Sequence, residues 1–224
     1  MKAGVVTFPG SNCDRDIFIT LRDVFGFKTD LLWHNQSIQT SAGYDLLVVP
    51  GGFSYGDYLR CGALARFSPV MESVIEHAKR GGFVLGICNG FQILCEAKLL
   101  PGALIRNSGL LHLAQDVTLV KGNSKMFAHL TDEYRIPVSH SEGNYRADSQ
   151  TIEQLEDEGR VALRYKENPN GSINDIAGII SANGRVLGLM PHPERAINPL
   201  NGKTDGRPIL EAYLHSIQSM AVTA

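Results

Sequence analysis

Along this chain, short apolar runs alternate with longer stretches whose apolar residues recur every three or four positions. Ala3–Phe8 is apolar and β-branched and is stopped by Pro9-Gly10, the pattern of a buried strand. Ile17, Leu21 and Val24 then fall on one face of a helix that ends before Gly26, a residue suited to the left-handed turn after a helix. Lys28–Trp33 and Leu46–Val49 read as further strands. Ser68-Pro69 can cap and open a helix whose Val70, Val74 and Ile75 share a face. That helix stops at Gly81-Gly82, and Phe83–Ile87 follows as another wholly apolar strand.

Strand, helix, strand, helix in that order predicts a parallel sheet covered on both faces. Toward the C-terminus the rhythm changes. Ala177–Ser181 and Arg185–Met190 flank Asn183-Gly184, a strong hairpin signal that predicts added antiparallel strands, and Pro208–Met220 closes the chain as a helix. With no repeat, low-complexity tract or linker, the expectation is one α/β domain over 1–224: an open, mostly parallel sheet with helices on both faces.

Composition adds mainly exclusions. A chain of 224 residues can bury roughly 70–75% of its unfolded surface, so a core needs no covalent staples. The formal net charge of −2 comes from scattered charges, which argues against a nucleic-acid groove or a membrane-binding face. The apolar run at the N-terminus is too short for a signal peptide, and no stretch approaches a membrane span. Cys13, Cys61, Cys88 and Cys95 resemble neither a disulfide framework nor a zinc site. These features together predict a cytoplasmic protein, in which the sequons at Asn35 and Asn170 are chance matches.

The chemistry concentrates at Phe83–Gln92. An apolar strand runs straight into Gly86-Ile87-Cys88-Asn89-Gly90, and the helical stretch Phe91–Ala97 follows. This is the strand–turn–helix layout of a nucleophile elbow, with cysteine in the nucleophile's place. The glycines have a physical task, since the turn is tight and bulkier neighbours would clash. The turn also sets the thiol at a helix N-terminus, whose partial positive charge favours an anion there. The backbone N–H of Asn89 would face an oxyanion forming beside Cys88. A buried core cysteine between packing glycines is the plain alternative, and it is the better account of Cys13, Cys61 and Cys95, which lack the elbow.

A thiol nucleophile needs a base, and the base needs an orienting partner. Met190-Pro191-His192-Pro193-Glu194-Arg195 follows a predicted strand and supplies both: prolines hold His192 extended, and Glu194 lies within reach of its imidazole. Alone the segment would read as a surface turn; beside the elbow it predicts a Cys88–His192–Glu194 triad. Pro50-Gly51-Gly52 ends another parallel strand and can aim a second N–H at the oxyanion, ahead of a Tyr- and Gly-rich loop. His140-Ser141-Glu142-Gly143-Asn144 offers polar contacts to a small substrate, although a structural histidine explains it equally well. No phosphate-binding glycine loop is present, so any ATP-driven step is expected elsewhere.

These segments resemble the class I, triad-type glutamine amidotransferases in the motifs Gly86–Gln92, His192-Pro193-Glu194 and Pro50-Gly51-Gly52. Phe8–Asp14, Gly52–Gly62 and Met190–Arg195 resemble more closely the branch that provides glutaminase subunits to phosphoribosylformylglycinamidine synthases. The similarity runs from the first strand to about Arg195, and Phe53–Gly62 is its most specific piece. The resemblance implies a flavodoxin-like sheet and glutamine hydrolysis through Cys88, His192 and Glu194. It also implies oxyanion or substrate contacts from Gly51, Gly52, Asn89, Gln92, His140 and Glu142. It further implies no cofactor or metal in this chain, and ammonia delivery to a synthetase subunit that carries ATP and Mg²⁺, with a small accessory subunit in some complexes. One departure stands out: the family segment usually reads His-Gly-Glu-Gly, and Ser141 replaces its first glycine.

Rival readings are a related cysteine hydrolase of peptidase or chaperone type, a silenced binding subunit, and a glutaminase serving another acceptor. The Glu two residues after His192, the intact triad residues and the Phe53–Gly62 loop respectively argue against them.

Overall fold

Three short strands have no exposed residue at all or only partly exposed ends: β1 (Lys2–Thr7), β3 (Leu46–Val49) and β4 (Phe83–Ile87). Strands buried on both faces need helices above and below, as the sequence pattern predicts. A computed structural model describes residues 1–39, 42–130 and 133–221 of the chain, arranged as two compact units.

The first unit comprises Met1–Pro101 and Asn183–Gly188. Its strands run in the order β2-β1-β3-β4, all parallel, with β2 spanning Lys28–Trp33. β2 lies at the edge and is half-exposed along its length. Beyond β4, the Val84 amide donates to the Arg185 carbonyl at 2.9 Å. The helices are α1 (Asp14–Ile19), which continues as a wider π-type turn over Thr20–Val24, α2 (Pro69–Lys79) and α3 (Asn89–Glu96). Ile17 and Leu21 are fully buried, and Gly26 follows with φ +69°. Ser68 precedes α2 as expected, yet makes no side-chain cap. Its hydroxyl bonds the Tyr55 hydroxyl at 2.8 Å instead.

The parallel order carries a consequence for function. β1, β3 and β4 are neighbours pointing the same way, so Phe8–Asn12, Pro50–Gly52 and Cys88 all leave the sheet at one end. Loops at the carboxyl ends of parallel strands are where open α/β sheets collect ligands.

The second unit comprises Gly102–Ala182 and Leu189–Ala224. It contains β5 (Ala103–Ile105), β6 (Leu113–Lys121), β7 (Tyr134–His140), β8 (Asn144–Arg146), β9 (Val161–Tyr165) and β10 (Ile176–Ile180). The order β10-β9-β6-β7 is antiparallel throughout, and β5 pairs with β8 antiparallel. The unit thus carries four antiparallel strands, of which only β10 lies in the predicted hairpin, and the fold class of a mixed sheet with covering helices stands. β7 alternates cleanly: Tyr134, Ile136, Val138 and His140 point inward while the residues between them are more exposed. Helix α4 (Ser149–Asp157) is capped by Asp148, whose carboxylate accepts from the Thr151 amide at 2.8 Å. Helix α5 (Gly206–Ala221) buries Ile209, Leu210, Tyr213, Leu214 and Ile217. No helix among the described residues is long and apolar enough to cross a membrane.

Candidate active site

Cys88 sits between β4 and α3 with φ +52° and ψ −108°. A non-glycine residue at positive φ is strained by its Cβ, so the surroundings must impose the turn. They do so through two glycines. A Cβ on Gly86 would lie 2.5 Å from Leu94 Cδ1 and 2.8 Å from the Gly90 carbonyl carbon. A Cβ on Gly90 would run into the carbonyl oxygen of Val49, at the end of β3. The elbow therefore closes directly on β3 because neither glycine has a side chain. Cys88 is 5% exposed, and Asn89 through Cys95 are all buried. α3 starts at Asn89, two residues before the sequence pattern suggests. Asn89 and Gly90 are weak helix formers that tertiary contact holds in place.

The Pro50–Gly52 turn meets the elbow and the Phe8–Asn12 loop together. Gly52 has φ +142°, and a Cβ there would approach Ser11 Cα to 2.8 Å. Ser11 and Gly52 form an isolated bridge, and the Phe53 amide donates to the Gly10 carbonyl at 3.0 Å. Asn89 ties the next loop in. Its Oδ1 accepts from the Ser54 amide at 3.2 Å, while its Nδ2 donates to Gln92 Oε1 at 2.9 Å and Asp57 Oδ1 at 3.3 Å. The first unit therefore gathers Cys88, Asn89, Gln92, Gly51 and Gly52 in one region.

The Phe53–Gly62 loop is held at its base and open at its tip. The Tyr55 hydroxyl bonds His34 Nδ1 at 2.7 Å and Ser68 Oγ at 2.8 Å, and the Tyr55 amide donates to the Pro9 carbonyl at 2.7 Å. Tyr55, Asp57 and Leu59 all have positive φ, and Tyr58 and Leu59 are 75% and 87% exposed. Arg60 closes the loop on α3 through two bonds to the Glu96 carboxylate, at 2.8 and 2.6 Å.

The second unit holds the remaining candidates. His192 and Glu194 are 1% and 5% exposed, and His192 Nδ1 donates to Glu194 Oε1 at 2.7 Å. That bond leaves Nε2 as the imidazole's basic nitrogen. The backbone is fixed as firmly: the His192 amide donates to the Pro137 carbonyl on β7 at 2.9 Å, and the short turn Pro193–Arg195 follows. A Cβ on Gly206, the first residue of α5, would collide with the Pro193 carbonyl, so that glycine seats the helix on this turn.

His140 ends β7 at an inward position, 3% exposed. Burial first, then the neighbouring His192 and His112, lower its pKa to about 4, so the ring is neutral near pH 7. Glu142 is half-buried in the turn that follows. Ser141, the residue that departs from the family pattern, gives its hydroxyl to a contact with His112 Nδ1 at 3.0 Å. The sequence pattern had no signal for Asn107, which is 1% exposed and whose side chain bonds three groups of this turn and the Leu111 carbonyl. Asn170, half of a chance sequon, is fully buried and donates to the Gly143 carbonyl at 2.8 Å. The other cysteines behave as core or loop thiols: Cys13 and Cys95 are buried, Cys61 is half-buried, and burial pushes the Cys95 thiol up.

Comparison with known proteins gives this arrangement a class. Residues 1–207 match the family described as CobB/CobQ-like glutamine amidotransferase domain, and the chain belongs to that family, an enzyme family of glutamine amidotransferases. Its place within the family is set by full-length relatives. The phosphoribosylformylglycinamidine synthase subunit PurQ of Leptospira interrogans is 51% identical over 221 residues, covering 96% of this chain and all of the relative. PurQ of Nostoc sp. is 50% identical over 226 residues, covering 99% of this chain and all of the relative. The structure of PurLQS from Thermotoga maritima contains a chain with TM-score 0.83 and 38% identity, matched over 96% of this chain and 98% of its own length. A glutamine amidotransferase from Thermotoga maritima shares the fold, with TM-score 0.56 at 18% identity, over 97% of this chain and 92% of its own.

Proposed function

We propose that the chain, acting as one glutaminase domain over 1–224, hydrolyses glutamine to glutamate and ammonia as a subunit of phosphoribosylformylglycinamidine synthase. The observation that supports this most directly is the Cys88 elbow, a cysteine forced to φ +52° at the start of a buried helix by two glycines that admit no Cβ. A core cysteine has no need of such a backbone.

In this reading His192 takes the Cys88 proton, and the thiolate attacks the side-chain amide carbon of glutamine. The oxyanion rests on the Asn89 N–H and the Gly51-Gly52 turn. His192, oriented by Glu194, then protonates the departing nitrogen. The C–N bond breaks, ammonia leaves, and a glutamyl thioester remains on Cys88. Water activated by His192 attacks the thioester, releasing glutamate and restoring the thiol. Gln92, His140 and Glu142 contact the bound amino acid.

The ammonia passes to a synthetase subunit, which uses ATP and Mg²⁺ to convert formylglycinamide ribonucleotide to its amidine. The relatives' designation as synthase subunits supports such a partner. The Phe53–Gly62 loop is the coupling element, because its base reaches Asn89 while Tyr58 and Leu59 face outward.

The test is glutamate release from glutamine by wild type and Cys88→Ala, with and without the synthetase subunit. Wild-type release rises with the partner, and Cys88→Ala lowers it by about 10³-fold or more. His192→Ala lowers it by roughly 10²–10⁴-fold. Turnover in Cys88→Ala equal to wild type overturns the mechanism, and equal wild-type turnover with and without partner overturns the coupling.

A further inference from the structure

The amide of Asn107 can be oriented without seeing a hydrogen. Its Nδ2 lies 2.9 Å from the Leu111 carbonyl and 2.9 Å from the His140 carbonyl, both of which only accept. Its Oδ1 lies 3.0 Å from the Gly143 amide, which only donates. The reverse orientation would set N–H against N–H and oxygen against oxygen, so Oδ1 is fixed as the acceptor. That same oxygen is 3.1 Å from His140 Nδ1. Nδ1 must therefore carry the proton, which makes His140 Nε2 a bare acceptor. Nε2 is buried and has no hydrogen-bond partner among the described residues. A buried acceptor without a donor costs free energy unless a ligand supplies the donor.

We propose that Asn107 is a positioning residue: it clamps His140 in the Nδ1–H form, so that Nε2 accepts a hydrogen bond from an N–H of bound glutamine. The inference rests on the glutaminase reading for its ligand but on geometry alone for its clamp. The four partner atoms of Asn107 lie on two segments, Leu111 just before β6 and His140 and Gly143 at and just after the end of β7, so one amide sets both the imidazole and the turn carrying Glu142. The neutral state of His140 agrees with it, since a protonated ring would offer a donor at Nε2 in place of an acceptor.

Imidazole nitrogen NMR of ¹⁵N-histidine-labelled protein at neutral pH, together with glutamine kinetics of the synthetase complex, tests the proposal. In wild type His140 shows a protonated Nδ1 and a bare Nε2, and added glutamine shifts the Nε2 resonance. Asn107→Ala loses the fixed tautomer and raises KM for glutamine about tenfold, with kcat changed much less. Asn107→Asp keeps the acceptor for Nδ1–H but loses the two bonds that Nδ2 gives the Leu111 and His140 carbonyls, and the wild-type tautomer measurement keeps the proposal falsifiable should either variant fail to fold. Asn107→Asp retains the tautomer, and its carboxylate moves the acid limb of the KM–pH profile to higher pH. A filler role would give neither the retained tautomer nor that displacement. A wild-type proton on Nε2, or an Asn107→Ala variant with wild-type KM, overturns the proposal. The tautomer measurement needs no turnover, so a wild type that releases no glutamate would strike the glutaminase reading and leave the clamp to be judged by NMR.

Discussion

The two regions that carry the candidate residues are held in place by different means. Around Cys88 the constraint is in the backbone: glycines at 86 and 90 let a helix close on β3, and the strained φ of the cysteine is the result. Around His192 and His140 the backbone is ordinary strand and turn, and side chains set the geometry. Glu194 orients one imidazole and Asn107 the other, both buried. Backbone constraint suits an atom that must sit on a sharp turn. Side-chain constraint suits a ring whose useful property is which nitrogen bears the proton. The two should fail differently, one by steric collapse and the other by titration.

The largest effect is expected where the backbone is locked. Gly90 has an ordinary φ, so an alanine there suffers only the collision of its Cβ with the Val49 carbonyl. That oxygen belongs to a strand buried on both faces and has nowhere to go. Gly90→Ala should cost about 3 kcal/mol or more, or prevent folding, as measured by the midpoint of urea unfolding. A loss below about 1 kcal/mol would mean that α3 slides on β3 and that the elbow is not sterically locked.

This difference in means also explains what the sequence revealed. Gly86-x-Cys88-x-Gly90 and Gly51-Gly52 could be read because the constraint is local and written in glycine, a residue with few other reasons to be there. His192 and Glu194 are two residues apart, so their pairing was legible too, and the structure pairs them. Asn107 was not legible. Three of its bonds reach 33 or 36 residues along the chain, and an asparagine in a loop looks like any turn residue. Gly206 escaped for the same reason, since its need for no Cβ comes from Pro193 and not from its own turn. In the fold, the fully buried strands β3 and β4 match their predicted bounds, whereas β6 is half-exposed along much of its length and lacks a clean period. β5 and β8 are three residues each, too short to carry one.

The side-chain-locked region should break with pH. His140 is pulled to about 4 by burial, with His192 and His112 facing it. Taking the unfolded value as about 6.5, the unfolded chain binds the proton first as pH falls. The folded state's advantage is therefore complete above about pH 6.5 and is lost as pH drops toward 4. Between pH 7 and pH 5 this amounts to about 2 kcal/mol. His77, also lowered by burial, contributes in the same direction, so the slope must be compared with that of His140→Gln. Urea unfolding at several pH values should show the shallower slope in the variant. Equal slopes would mean that His140 does not titrate on unfolding and that the neutral, clamped ring is misassigned.

The smallest effect isolates a part of the backbone argument that Gly90 cannot. A glycine can be required for two reasons, a lack of space or a positive φ, and the elbow mixes them. Gly184, in the predicted Asn183-Gly184 turn and within the same unit as Cys88, has φ +72° and nothing within 4 Å of a Cβ placed on it. Gly184→Ala therefore measures the left-handed conformation alone, and should cost about 1 kcal/mol in urea unfolding. Cys88 also has a positive φ with a side chain already present, so backbone strain is built into the folded protein at that residue too. If Gly184→Ala costs as much as Gly90→Ala, the difference between the two glycines is not one of contact, and steric closure on β3 loses its claim as the cause of the elbow. If it costs the expected fraction, the greater part of the Gly90 penalty belongs to the carbonyl of Val49, and the elbow is made by packing.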